Sequence, residues 1–487
     1  MTRRGFRLTP NAPTARTAMA RLLVKNGYVV TVDGGRAVHP DGFVLIEDTR
    51  IAALGAMAEL PADAQADEVI DAAGCLVVPG LINLHQHHWY TLFKGLADGY
   101  LLEDWITGFV FPLVRHLDDG AMRVASYLDG MEMLATGTTC SLNHSVTTTT
   151  PSMVRAIIEP QAELGIRQVF AKELRCRTPG NPNHPLSLDE SLAAMAEEVE
   201  RWQGASDGLV RMAMVIEANA HWIAAGMSTD ELVRKGYEFA RDRDLRISGH
   251  IAGGTLSLDK GFLKHLRATG RTDVQYLMEL GVLDKHWLMI HGIHVTDTDI
   301  AQMAHVGCHF VYTPSSEAMR GGGIAPFAKA QAAGVNTALG TDGPMVDYSV
   351  DMIEQMKICT LMQHVRHLDP TRMPVERTIE MATINGARAL GLDHEIGSLE
   401  PGKRADIAIF DMRKPHIGVL NRPLSTFVSA GKGTDAKAVI VNGAVVYRNS
   451  AFANGPSFDE VLGEATQRAR QIAEAAGHGP RFAPAWR

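Results

Sequence analysis

The apolar run Leu81-Ile82-Asn83-Leu84 leads directly into His85-Gln86-His87-His88. On an extended strand residues i and i+2 share a face, so His85 and His87 can point toward one cation. Three more apolar runs end in a residue capable of chemistry: LRISGH at His250, HWLMIH at His291 and VNTALGTD at Asp342. Imidazoles with a carboxylate are a donor set for Zn²⁺ or another borderline divalent cation, with a position left for water. Singly, each feature is commonplace. An isolated His-x-His is more often an accident than a ligand pair, and a lone histidine after an apolar run is usually a satisfied core residue. Thr-Asp-Gly is by itself a turn signal. Their joint occurrence at successive strand ends, in this order, reverses that balance.

Such residues meet where parallel strands converge, at the C-terminal mouth of a (β/α)₈ barrel. Residues 80–395 carry the matching pattern. Eight short apolar runs (LINLH, TTCSLNH, RQVFAKEL, RMAMVIEA, LRISGH, HWLMIH, HFVYTP, VNTALGTD) alternate with amphipathic stretches such as DELVRKGYEFARDRD. A doubly wound sheet usually carries a Gly-rich phosphate turn, and neither GxGxxG nor a P-loop occurs. Strand-and-turn texture at 21–79 returns at 396–450 in ADIAIFD and AVIVNGAVVY, which predicts one small composite β-sandwich from both chain ends. Residues 1–20 read as a flexible leader without the apolar region of a secretory signal, and 451–487 as a C-terminal helix and tail.

Composition narrows the class further. With 487 residues, 46% of them hydrophobic and 21% charged, the chain suits a folded protein with a large core. A net charge of −8 argues against nucleic acid as a partner. No apolar run approaches the roughly 18 residues of a membrane span. Five scattered cysteines without a CxxC suit neither a disulfide framework nor a Cys-based zinc site, and fit a reducing, cytoplasmic setting.

PGLINLHQHH resembles the PG-(I/L)-(I/V)-(D/N)-x-H-x-H signature of the amidohydrolase superfamily. LFKGLADGYLLEDWI, GTTC, HGIHVTD, GGGIAPFAKAQAAGVNTALGTDG and IGSLEPGKRADIAIFD are similar to its cytosine-deaminase and chlorohydrolase-like branch. That branch includes guanine and adenosine-type deaminases and triazine hydrolases, and the likeness covers roughly residues 21–450. It implies a (β/α)₈ TIM barrel with a composite β-sandwich, one catalytic metal ion (Zn²⁺ first, Fe²⁺ or Mn²⁺ as alternatives) and a homo-oligomer, dimer or larger. Carried over by position, His85, His87 and His250 would be imidazole ligands. Asp342 would be the carboxylate ligand and proton shuttle, and His291 would hydrogen-bond the substrate or the attacking water. Zinc lowers the pKa of bound water from about 15.7 to near 7, which would supply hydroxide at neutral pH.

There is one departure. Deaminases of this branch carry a Glu three residues after the strand-5 histidine, where it protonates a ring nitrogen, and here Gly253 stands in that place. Either the substrate needs no such protonation or another residue supplies it. Glu217 after strand 4 and Glu317 after strand 7 are candidates, against the plainer reading of each as a loop or salt-bridge residue. His144 and His221 are similar cases, and Lys172 on strand 3 reads as structural. Trp89, Tyr90 and Phe93 could form a stacking wall for a planar substrate, but core packing is the plainer reading of them. The expectation is a metal-dependent hydrolase acting on a non-peptide C–N bond of a small heterocycle, by deamination or ring opening. The alternatives are displacement of chloride or thiolate from a heteroaromatic ring, and a catalytically silent ligand-binding relative.

Overall fold

The computed structural model describes residues 21–62, 64–147 and 150–483, so the leader expected over 1–20 lies outside the described residues. Among them, eight strands form one parallel sheet in sequence order. These are β1 (Leu81–Gln86), β2 (Thr138–Ser145), β3 (Arg167–Glu173), β4 (Val210–Val215), β5 (Ile247–Ile251), β6 (Trp287–His291), β7 (His309–Tyr312) and β8 (Asn336–Leu339). Each coincides with one of the eight apolar runs. Helices cross between strands, and several are launched by a side-chain cap that satisfies a free N–H, as Asp118 does for Asp119–Ala135 and Thr229 for Asp230–Arg241.

Beyond β8 the chain returns to β1 and closes the barrel. Thr341 N and Asp342 N both donate to the His85 carbonyl, at 3.0 and 2.8 Å, and Gln86 bridges to Asp342. Gly340 is needed at this seam. A Cβ there would lie 2.7 Å from His85 N and 2.8 Å from its Cβ. Alternate residues of the strands fill the barrel: Cys140 and Leu142, Val169 and Ala171, Ala213 and Val215, Leu288 and Ile290 form one buried cluster. Continuing that period of two brings His144, Glu173 and Glu217 inward at the mouth. Lys172 falls on the opposite face of β3.

The second layer comes from both chain ends, as expected. Strands Arg21–Val30, Val38–Glu47, Arg50–Ala56, Glu68–Asp71 and Cys75–Pro79 join Ile407–Asp411, Ala436–Val441, Ala444–Arg448 and Ala451–Phe452 in one mixed sheet. The two ends meet where Cys75–Pro79 pairs antiparallel with Ile407–Asp411. Successive residues serve opposite faces. Val77, Ile407 and Ile409 pack with Val24, Val44 and Ile46, while Leu76, Val78 and Phe410 join the apolar layer around the barrel. Helix Phe458–Ala475 lies against Asp119–Ala135, burying Val461, Ala465 and Ile472. No helix among the described residues is long and apolar enough to cross a membrane. All five cysteines are buried and free.

Candidate metal centre and active site

Both histidines of the β1 motif are buried. The register of β1 against β2 shifts between Asn83 and Gln86, and this irregularity changes the direction of the strand's side chains. Ile82 and Leu84 therefore fill the barrel, and His85, of opposite parity, still reaches the mouth. The ring centroid of His85 lies 4.9 Å from that of His87, 5.1 Å from His250 and 5.3 Å from His291. Ligand atoms of His85, His87 and His250 lie within 4.8 Å of one another, as do those of His85, His291 and Asp342. The five residues expected at the strand ends are thus gathered in one place.

Their hydrogen bonds differ in a telling way. His87 Nδ1 contacts the main-chain carbonyl of His144 at 2.6 Å, so it carries the proton and leaves Nε2 bare. His250 Nδ1 lies 2.5 Å from Glu217 Oε1, which leaves its Nε2 likewise. His85 is 0% exposed and neither ring nitrogen has a hydrogen-bond partner. A buried unpaired polar atom is costly, and a cation bound by His85 would relieve that cost. Burial also pushes His85 and His87 below the usual imidazole range, which keeps them neutral and able to ligate. The donor set fits a divalent cation.

Asp342 closes this group from the β8 side. Its Oδ1 lies 3.4 Å from His85 Nε2 and 3.5 Å from His87 Nε2. Its Oδ2 accepts from Ser316 Oγ at 2.6 Å and stands 3.2 Å from Arg320 Nη2. Burial acts to raise its carboxyl, but Arg320 and the neighbouring imidazoles outweigh that and hold it well below the usual carboxylate range. Arg320 also donates to Glu317 Oε1 at 2.7 Å, and the same oxygen lies 2.8 Å from His291 Nδ1. Gly322 makes room for this carboxylate, since a Cβ there would meet Glu317 Oε2 at 2.2 Å. His291 and Asp342 have φ of +70° and +69°, conformations rare outside glycine, which tertiary packing must enforce.

The other sequence candidates separate. His144 and Glu217 lie inside the cluster, with His144 Nε2 at 3.1 Å from Glu217 Oε1. His221 does not join it, being exposed on the helix after β4 and paired to His265 Nε2 at 2.8 Å. Trp89 is buried against Tyr90 and Phe93, and Tyr90 covers His87 with ring centroids 4.5 Å apart. At Gly253 the backbone is ordinary, and the nearest atom to an added Cβ would be Ile251 O at 3.9 Å. An acid is absent there although the backbone leaves room for a Cβ.

Sequence reasoning missed Arg320, Ser316, Glu173 and Asp273. Glu173 could have been found by extending the inward period of β3 by one step. It pairs with Arg175 at 2.7 Å, yet burial pushes its carboxyl up to about 7. Arg320 follows Glu317 by one helical turn. Asp273 left no signal. It accepts from Ala220 N at 2.7 Å and Ala252 N at 2.6 Å, clasping the loops after β4 and β5.

Residues 76–446 match the amidohydrolase family. A 5-methylthioadenosine/S-adenosylhomocysteine deaminase of Syntrophobacter fumaroxidans is 31% identical, over 94% of this chain and 98% of its own length. A 5′-deoxyadenosine deaminase of Methanothermobacter thermautotrophicus is 32% identical over 89% of this chain and 94% of its own. Among solved structures, a zinc-bound adenosine deaminase from Xanthomonas campestris superposes with a TM-score of 0.84 at 23% identity, covering 93% and 98% of the two chains. A zinc-bound atrazine chlorohydrolase from Arthrobacter aurescens gives 0.82 at 20% identity, covering 92% and 100%. The likeness to these two solved structures extends over nearly the whole chain and is one of fold.

Proposed function

The chain belongs to the amidohydrolase family, and from that premise we propose that His85, His87, His250 and Asp342 hold one divalent cation, Zn²⁺ before Fe²⁺ or Mn²⁺. When bound, the cation supplies Lewis-acid activation of water near neutral pH. The reaction is hydrolysis of a non-peptide C–N bond in a small heterocycle. Deamination of an adenine nucleoside is the finer reading, supported by the relatives named for that activity. The observation that carries the proposal is the buried convergence of these side chains at the barrel mouth, with neither nitrogen of His85 hydrogen-bonded.

Each remaining residue has work that follows from its surroundings. Asp342, held ionised beside Arg320, takes the proton of the attacking water and passes it to the leaving nitrogen. His291 has its Nδ1 engaged by Glu317 and by Thr313 Oγ1 at 3.0 Å, so Nε2 is free to orient water or substrate. Tyr90 and the burial of the cluster limit access of bulk water, which strengthens every charge interaction inside. Gly253 donates no proton. That favours a substrate whose reacting carbon is electrophilic without ring protonation, and it supports displacement of chloride or thiolate as the second reading.

The test is a zinc-loaded screen against aminopurines and their nucleosides, pyrimidines, triazines and cyclic amides. Ammonia, halide and ring opening are followed separately. Ammonia release from 5′-methylthioadenosine is the expected result. Halide release without ammonia would favour the second reading, and a zinc-loaded protein inactive on the whole panel would sink both.

A further inference from the structure

Glu217 has the right chemistry to replace the acid missing at position 253, but its contacts give it different work. Oε1 receives His250 Nδ1 at 2.5 Å and His144 Nε2 at 3.1 Å, and Oε2 accepts from Asn219 Nδ2 at 2.9 Å. Both oxygens are committed to protein donors in a buried setting. Its partner is pinned as well. With Nε2–H given to Glu217, His144 must use Nδ1 as acceptor, and Ser248 Oγ stands there at 2.8 Å. Ser248 lies on β5 two residues before His250, so the set His250, Glu217, His144, Ser248 closes on itself across β2, β4 and β5. The carbonyl of the same His144 takes the Nδ1 proton of His87. One residue on β2 thus stands behind two of the three expected imidazole ligands. Its ring acts through Glu217 and its main chain acts directly. His85 has no such support.

We propose that Glu217 and His144 are a positioning pair that presents Nε2 of His250 and of His87 to the divalent cation. Glu217 then sets metal affinity and carries no substrate proton. This rests on the reading of the cluster as a metal centre, and it assigns the acid missing at Gly253 to no residue of β4. A carboxylate behind a ligand imidazole fixes its tautomer and orientation and raises its basicity, and losing such a partner typically costs about 10–100-fold in metal affinity.

The experiment compares full-length wild type, Glu217→Gln, Glu217→Leu and Ser248→Ala, each stripped of metal. Zinc affinity is read by competition with a chromophoric chelator, and turnover of 5′-methylthioadenosine is read at saturating zinc. Gln keeps an acceptor oxygen for His250, so its zinc Kd should rise about 10-fold, and Leu should approach about 100-fold. Ser248→Ala frees the tautomer of His144 and should weaken zinc binding by a few-fold. Zinc-saturated Glu217→Gln should turn over within about tenfold of wild type, short of the 10²–10⁴ loss expected on removing a general acid–base group. If the Leu variant does not fold, the Gln variant decides the question. An unchanged zinc Kd in Glu217→Gln, with turnover lost by 10² or more, would overturn the proposal and make Glu217 the acid. A wild type that binds no zinc would overturn the metal-centre reading itself, and this pairing with it.

Discussion

Gly253 is informative because nothing in the backbone requires glycine there. An added Cβ would make only an ordinary contact with Ile251 O at 3.9 Å, so Gly253→Glu should fold normally. If Asp342 performs all proton transfers, the added acid leaves kcat for ammonia release at or below the wild-type value. A rise above about tenfold would mean that the reaction does lack an acid. Asp342→Asn tests the other half. Its amide cannot suit the His85–His87 side and also accept from both Ser316 and Arg320, so turnover should fall by on the order of 10³ or more. Full activity in the Asn variant would end the proposed mechanism. Glu173 adds a pH signature. Burial raises its carboxyl, against the pull of Arg175, from 4.5 to about 7. The folded state therefore holds a proton that the unfolded chain releases, and the associated stability is present below about pH 4.5 and lost by about pH 7. Between pH 4 and 8, Glu173→Gln should gain on wild type by at most about 3 kcal/mol in urea unfolding. A pH-independent difference between the two proteins would show that folding leaves the Glu173 carboxyl unshifted.

At the scale of elements, the eight strands were legible because each is a short, largely buried run with an apolar centre, ending in a polar residue at the mouth. The HxH pair, His250, His291 and Asp342 were legible for the same reason, since strand ends in a barrel fix where side chains meet. Arg320 and Asp273 were not. Their partners depend on loop paths, and for Asp273 those partners are main-chain N–H groups that no side-chain pattern encodes. Nor did sequence show what welds the composite sheet to the barrel. Arg167, at the start of β3, forks onto Asp406 through Nε at 2.8 Å and Nη2 at 3.1 Å, and both side chains are buried. Removing one partner leaves a bare buried charge. Arg167→Met alone should destabilise by about 3–5 kcal/mol, while Arg167→Met with Asp406→Leu should recover most of that loss. Chemical denaturation of Arg167→Met, Asp406→Leu and the double variant measures the coupling. Additive losses would show that the pair does not act as a unit.

On the scale of the whole molecule, the metal centre is a small polar island set in a core that does not depend on it. The barrel interior, the apolar layer around it and the nine-stranded sheet are complete without an ion. Chelation should therefore leave the far-UV circular dichroism unchanged, unlike small domains whose folding is metal binding. The ion should still be felt in stability through mass action. Zinc at a hundred times its Kd adds about 2.7 kcal/mol, a rise of a few degrees in Tm for a chain of this size. His85→Leu separates the two contributions. It removes a ligand together with two buried nitrogens that lack a hydrogen bond, one of them 3.4 Å from Asp342 Oδ1, and an apolar group of similar volume costs little in their place. The metal-free variant should match or exceed the metal-free wild type in Tm, and it should not respond to added zinc. A metal-free wild type that loses its secondary structure, or a His85→Leu protein that zinc still stabilises, would mean that the cation is held elsewhere or builds the fold.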